Sequence, residues 1–201
     1  MATVVTIAQN TQCKMNKRII ENYVRGILTE IGEDSNREGL VGTPERIARM
    51  YEEIYRGYDG SKQPKITTFR NGSDGIVYSN VITDSGLFYS MCEHHMMPFL
   101  GTYTFAYLPA PHGKLLGLSK IGRIVDYCAA RLQLQERLCY DIVHTIEEEL
   151  KRDEPQENWP LGVAIRMQAK HLCKSMRGAR KQGQMTASFA TGIFAPKLST
   201  R

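Results

Sequence analysis

Apolar residues at Ile19, Ile20, Tyr23, Val24, Ile27, Leu28 and Ile31 recur at helical spacing and stop at Gly32. That pattern predicts an amphipathic helix beginning near Met15. After a polar, glycine-containing connection over 34–42, Thr43-Pro44-Glu45-Arg46 supplies a capping residue, a proline at the first helical position and an acid in the first turn. A second helix is expected there, with Ile47, Met50, Tyr51, Ile54 and Tyr55 turned inward and its end near Arg56-Gly57. Residues 1–13 are polar and aperiodic, and read as an arm or an edge contact.

Beyond residue 58 the period changes. Short β-branched or aromatic runs at 65–69, 75–82, 86–91 and 103–108 are bounded by Gly, Asn, Asp, Ser and Pro, as antiparallel strands are. Pro109-Ala110-Pro111-His112-Gly113 is a turn, with His112 as exposed turn chemistry. Ser119 then caps a helix carrying Ile121, Ile124, Val125, Cys128 and Ala129 on one side, and a second helical stretch runs from Gln135 through Leu138, Ile142, Ile146 and Leu150. Cys128, Cys139 and His144 fall inside these helices and read as packing or surface residues. Residues 151–160 are a charged, proline-containing loop. From Val163 the chain alternates, with Ile165, Met167, Ala169, His171 and Cys173 on one face and Arg166, Gln168, Lys170 and Lys174 on the other. A last strand is expected over 187–194. This order describes an α+β architecture, an antiparallel β-sheet with long helices packed on one face. Residues 1–60 are expected to form an N-terminal arm and helical region, and 61–201 the main domain.

Composition narrows the class. With 201 residues, 42% of them hydrophobic and 23% charged, the balance is that of a globular chain with enough length for a full core. The five cysteines form an odd set without the spacing of a disulfide framework, so reduced thiols are expected. No apolar run approaches the roughly 18 to 20 residues of a membrane span, and the N-terminus lacks the charged flank and apolar stretch of a signal peptide. The reading is a cytoplasmic protein with no membrane partner. The net charge of +5 is local: no acid follows Glu157, where eight Lys or Arg lie, leaving 18 basic against 21 acidic residues over 1–157. Such a tail suits a small polyanion such as a phosphate ester, a nucleic acid, or simply a solvated face.

The chemistry centres on Cys92-Glu93-His94-His95, a thiol, a carboxylate and two imidazoles in consecutive positions. Thiolate and imidazole are ligands that zinc prefers, and a catalytic zinc takes three protein ligands. Cys92 and His95 supply two, and His171-Leu172-Cys173 is the other place where His and Cys nearly touch. If that segment is a strand, positions i and i+2 share a face, and His171 and Cys173 reach one site side by side. A closed structural zinc with His94 or His171 as fourth ligand is the rival to an open catalytic one. In the open case those two histidines are free for proton transfer, and the chemistry is hydrolysis.

Four motifs in order carry a family resemblance: Cys92-Glu93-His94-His95, Gly117-Leu118-Ser119-Lys120-Ile121, Gln133-Leu134-Gln135-Glu136-Arg137-Leu138, and His171-Leu172-Cys173 with Met176-Arg177-Gly178. Together with Thr43-Pro44-Glu45-Arg46-Ile47-Ala48, they resemble type I GTP cyclohydrolase from about Tyr23 to Phe194. The resemblance implies a tunnelling fold, assembled as a homodecamer of two stacked pentameric rings with active sites between subunits. It implies Zn2+ held by Cys92, His95 and Cys173, and hydrolysis of GTP at guanine C8 with release of formate and rearrangement to 7,8-dihydroneopterin triphosphate. His171 is then the proton donor to the purine nitrogen, and His94 acts in later proton transfers at the ribose. Glu136 clasps the N1 and N2 edge of guanine with Gln135 beside it. Ser119, Lys120, Arg123, Arg177 and Arg46 bind the triphosphate, with Ser119 also engaging the ribose.

Three other readings fit less well. A zinc deaminase places its Glu two positions after the first ligand and adds a Pro-Cys-x-x-Cys motif, whereas Glu93 directly follows Cys92 and the chain has no Cys-x-x-Cys. A nucleic-acid-binding zinc module uses close-packed ligand pairs, and Cys92 and Cys173 lie far apart in the chain. The tunnelling-fold nitrile reductases need a cysteine nucleophile and NADPH rather than this zinc set. No nucleic-acid partner is expected.

Overall fold

In the computed structural model, which describes residues 15–196, helix α1 (Lys17–Glu30) starts where Asn16 accepts a hydrogen bond from the Ile19 N–H at 3.2 Å. The cap satisfies one of the orphan donors of a helix start. Gly32, at φ +88°, takes the left-handed conformation that glycine tolerates after a helix end. Helix α2 (Thr43–Ile54) has Pro44 and Glu45 in its first turn, but Gly42 stands at the cap and no side chain bonds there. The expected cap, Thr43, is instead the first helical residue, and its Oγ1 accepts from Arg46 Nη2 at 2.8 Å. The two helices pack together within a unit that runs to Gln63, burying Val24, Leu28, Ala48 and Tyr55. Met50, expected inside, is exposed, as are Ile19, Tyr23, Ile27 and Ile31 along one side of α1. A two-helix unit has only one face to bury, so an apolar pattern this wide exceeds what the pair can cover. The arm expected over 1–13 lies outside the described residues.

The second unit begins at Pro64. Strand β1 (Thr68–Arg70) pairs antiparallel with β4 (Lys114–Leu116) in a small sheet. The main sheet comprises β2 (Ile82–Cys92), β3 (Pro98–Leu108), β5 (Leu132–Gln133), β6 (Gly162–His171) and β7 (Met185–Ala190), in the order β5-β2-β3-β6-β7. The long pairings are antiparallel, but β5 runs parallel to the end of β2, so the sheet is mixed and not purely antiparallel. Residues 75–81, expected in a strand, lie outside these strands, and the final strand ends at Ala190, ahead of a short 3-10 turn (Gly192–Phe194). The period-2 alternation puts Phe88, Ser90 and Cys92 of β2, Phe99, Tyr103, Phe105 and Tyr107 of β3, and Val163, Ile165, Met167 and Ala169 of β6 on one buried face.

Helix α3 (Lys120–Ala129) packs on β2, and α4 (Gln135–Lys151) packs on β6 and β7. They bury Ile121, Ile124, Val125 and Cys128 from one helix and Leu138, Ile142, Ile146 and Leu150 from the other. Each such side chain contributes about 1.5 to 3 kcal/mol on full burial. Cys128 and Cys139 belong to this core, where burial pushes both thiols up to about 12. They are packing residues. Ser119 stands at the cap position of α3, yet its side chain makes no cap bond.

The loop after α4 is anchored by Glu154, whose side chain is only 3% exposed and accepts two bonds from the Arg70 guanidinium, at 2.7 and 2.8 Å, and one from Asn158 Nδ2 at 3.1 Å. The bonds from Arg70, joined by Asn158 and Lys114, hold the Glu154 carboxyl below its ordinary value of 4.5 against the opposing effect of burial. A folded-state value below the unfolded one means a stabilisation that is complete above pH 4.5 and lost as the pH falls through the lowered value. Glu154→Gln should therefore unfold at lower temperature than the parent at neutral pH, and the gap should narrow as the pH is taken down below 4.5. Thermal unfolding followed from neutral pH into the acid range checks this, and a gap that stays constant would show that the ionised carboxylate contributes nothing.

Candidate metal centre and substrate site

Two segments distant in sequence meet at one end of the buried face. The first is the turn that joins β2 to β3. The Met96 N–H bonds back to the Cys92 carbonyl at 2.8 Å and the Cys92 N–H to the Met97 carbonyl at 2.9 Å, while Met96 adopts φ +51°, uncommon for a residue other than glycine. This tight closure brings the side chains of Cys92 and His95 to the same side. The turn is tied down from behind. The Glu93 N–H donates to the Gln133 carbonyl at 3.1 Å, and the Glu93 carboxylate pairs with Arg137 in the first turn of α4. Arg137 Nε donates to Gln133 Oε1 at 3.0 Å, and the Gln133 amide, 2% exposed, donates in turn to Asp141 at 2.9 Å and to the Cys128 carbonyl at 3.1 Å.

The second segment is the end of β6, whose register sets His171 opposite Phe99. The strand expectation holds only this far. A single helical turn, α5 (Leu172–Ser175), follows at once, so Cys173 is delivered by a change of backbone direction and not by the shared face of a strand. Even so, the candidate donor atoms of Cys92, His95 and Cys173 all lie within 4.8 Å of one another. Donors around a tetrahedral zinc stand roughly 3.3 to 3.8 Å apart, given bonds of about 2.0 to 2.3 Å. Small side-chain adjustments close the difference, and two sulfurs with one imidazole nitrogen form a donor set that suits zinc. Burial raises the Cys173 thiol, and its hydrogen bond with Cys92 adds to that. The Arg177 guanidinium lies against His95 Nε2.

The fold places the other residues singled out in the sequence in different ways. His171 Nε2 is 2.9 Å from Gln135 Oε1, and the ring stacks on Phe99 with centroids 4.5 Å apart and planes 3° from parallel. Burial holds the imidazole below its ordinary value, with the Glu136 carboxylate pulling the other way and Lys174 adding to the depression. Glu136 is exposed in the first turn of α4, next to Gln135. Gln135 differs from expectation: it is 1% exposed, and its amide nitrogen is spent on the carbonyls of Met167 at 2.9 Å and Met185 at 3.1 Å. His94 is exposed, its ring 6.2 Å from that of His95. Ser119 and Arg123 are exposed at the start of α3 with Lys120 half-buried, and among the described residues no hydrogen bond or ion pair joins these three to the cluster. Arg46, in the first unit, bonds Gly39 and Thr43. Sequence reasoning missed Phe99 and the Glu93–Arg137–Gln133 network, since strand register and helix docking leave no local signal.

A family model described as GTP cyclohydrolase I matches residues 20–201. The chain belongs to the GTP cyclohydrolase I family. It is thus an enzyme of that family, and membership supports GTP cyclohydrolase activity. The GTP cyclohydrolase 1 of Thermoanaerobacter pseudethanolicus is 46% identical over 188 residues, spanning 93% of this chain and 94% of that one. The GTP cyclohydrolase 1 of Clostridioides difficile is 42% identical over 189 residues, 94% of each chain. Among solved structures, the archaeosine synthase QueF-Like in its apo form aligns with a TM-score of 0.45 at 14% identity, covering 59% of this chain and 99% of that one. Among the described residues no helix is long and apolar enough to cross a membrane.

The proximity of Cys92 and Cys173 carries a chemical consequence for this GTP cyclohydrolase I family member. A disulfide needs Cβ atoms about 3.5 to 4.5 Å apart, within reach for two thiols already this close. After chelation, treatment with diamide should yield a Cys92–Cys173 cross-linked peptide in non-reducing mass spectrometry, while buried Cys128 and Cys139 stay unmodified. Failure to form it would mean that the two sulfurs stand farther apart in solution.

Proposed function

We propose that this protein is a zinc-dependent GTP cyclohydrolase I, hydrolysing GTP at guanine C8 with loss of formate and rearranging the opened product to 7,8-dihydroneopterin triphosphate for pterin and tetrahydrofolate biosynthesis. The observation that carries the reading is the meeting of Cys92, His95 and Cys173 within 4.8 Å, beside His171 and the first turn of α4. The three hold zinc and leave a position open. Bound there, zinc supplies Lewis acidity toward water at neutral pH.

The chain's own residues do the rest. The exposed Glu136 carboxylate accepts the paired N–H donors at N1 and N2 of guanine, a pattern that adenine lacks. His171 takes up a proton and delivers it to the purine nitrogen, and His94, exposed, moves protons at the ribose in the later steps. Ser119 at the start of α3 offers a hydroxyl to the ribose and backbone donors to phosphate. Lys120, Arg123, Arg177 and Arg46 neutralise the triphosphate. Gln135 belongs to the site through His171 rather than through the base.

A site shared between subunits accounts for Ser119, Lys120 and Arg123 making, among the described residues, no hydrogen bond or ion pair with the cluster of their own chain. We read the assembly as a homodecamer of two pentameric rings with the tunnelling fold, with residues 1–60 as an N-terminal helical region and 61–201 as the catalytic domain. The exposed stripe Ile19, Tyr23, Ile27 and Ile31 on α1 supports burial against another copy. We place the enzyme in the cytoplasm, where its thiols stay reduced, with no nucleic-acid or membrane partner.

Incubation of the purified protein with GTP, followed by oxidation, should give a fluorescent neopterin product and one formate per GTP. Release of ammonia instead would identify a deaminase. Cys173→Ser should lose both zinc and activity, and full metal occupancy with normal turnover would remove Cys173 from the ligand set. His94→Ala and His171→Ala should keep their zinc while turnover falls by about 10² to 10⁴.

Base recognition has a separate test. Glu136→Gln leaves a neutral amide with one acceptor for two donors, which should cost about 2 to 4 kcal/mol of GTP binding. Equilibrium dialysis with GTP measures the loss, and unchanged affinity would reduce Glu136 to a favourable acid at a helix start.

A further inference from the structure

The geometry points to Gln135 as a positioning residue that fixes the tautomer of His171, with the proton on Nε2 and the free lone pair on Nδ1, so that Nδ1 is the atom through which His171 exchanges protons. The last step rests on the activity proposed above; the tautomer does not.

An amide side chain can usually be turned over, exchanging its oxygen and nitrogen, and then says nothing about its partners. Gln135 cannot. Its nitrogen lies 2.9 Å from the Met167 carbonyl and 3.1 Å from the Met185 carbonyl, and a carbonyl only accepts. Turning the amide over would set its oxygen against two other oxygens at hydrogen-bond distance in a site where Gln135 is 1% exposed. The backbone of β6 and β7 therefore decides which end is which, and Oε1 faces His171 Nε2 at 2.9 Å. Oε1 in turn only accepts, so Nε2 carries a hydrogen.

A neutral imidazole has a single N–H. With it committed to Gln135, Nδ1 is left as the basic atom. Moving the Nε2 proton to a substrate would leave Oε1 facing a bare lone pair inside the protein, a buried acceptor without a donor. The Phe99 ring, stacked at 4.5 Å and 3° from parallel, occupies one face and holds the imidazole plane, which opposes the half-turn that would put Cε1 in place of Nε2 against Gln135. Gln135 thus bonds no substrate through its amide. Its loss should alter the rate of proton transfer and leave the affinity for GTP alone.

Two measurements on the zinc-loaded protein test this. In long-range nitrogen–proton spectra of histidine-labelled protein, with His171 assigned by the signal missing from His171→Asn, Nε2 should show the shift of a protonated nitrogen and Nδ1 that of a bare one. The reverse pattern overturns the inference. Gln135→Met keeps the volume and removes the acceptor. It should bind zinc and GTP as the parent does, mix the two His171 tautomers, and lower kcat about 10-fold or more with KM little changed. A raised KM with kcat intact would mean that Gln135 contacts the substrate, and would also overturn it. The spectra need no turnover. A protein that showed the stated tautomer but left GTP unchanged would sink the activity reading while upholding the role of Gln135.

Discussion

Everything in the candidate site depends on the pairing of Phe99 with His171 at the end of the β3–β6 ladder. Strand β3 begins immediately after the turn that carries Cys92 and His95, so the register of β6 on β3 decides where His171 and Cys173 stand relative to that turn. A slip of one residue would send His171 to the opposite face of the sheet and replace it with Lys170. Gly101 helps to hold the alignment. A Cβ there would lie 1.8 Å from the Gln168 carbonyl, so β3 and β6 approach each other at a distance that only glycine permits.

Behind the site, polar groups are buried at a cost that only full pairing offsets. Gln133 and Gln135 are both almost inaccessible and stand two residues apart, at the junction of β5 and α4. One faces the turn with Cys92 through Arg137 and Glu93; the other faces His171. The short parallel strand β5 and the start of α4 therefore connect the two half-sites from below. An apolar pair at these positions would pack as well and specify nothing. Each amide bonds three groups, and a misplaced strand would strand several donors at once, which ties the geometry of the site to the correctness of the fold.

Much of this was legible in the sequence where a residue's own period or spacing carried the information. The 3.6-residue period located α1 to α4, the alternation from Val163 to His171 located β6 and its buried face, and the two Cys/His clusters marked the segments that converge. What stayed hidden belongs to pairing. Nothing in Leu132-Gln133 announces a parallel partner for β2, because two residues have no period. The one-turn helix holding Cys173 interrupts an alternation that the residue types continue without a break. Gln135 reads as a companion of Glu136 at the base, and only the docking of α4 against β6 and β7 reveals carbonyls for its nitrogen. Met50 looks interior because an apolar pattern marks a helix face, and the single neighbouring helix covers only part of that face.

The charges follow the same division between what one chain completes and what it leaves open. Glu93, Asp141 and Glu154 each find a partner within the fold: Arg137, Gln133 and Arg70 respectively. Glu136 and His94 lie exposed around the cluster, and Lys120 and Arg123 on the first turn of α3 make no ion pair among the described residues. Pairing these groups internally would have been easy in a chain with 26 basic and 21 acidic residues. Side chains held ready but uncommitted are cheap in water and become strong only when a ligand displaces that water. A basic group contributes to binding a polyanion in proportion to how little its own chain already satisfies it. Arg177 is the intermediate case, resting against His95 where an arriving cation would compete for the same ring nitrogen. A guanidinium and a metal ion cannot both take one lone pair, so coordination through Nε2 would free Arg177 for a phosphate.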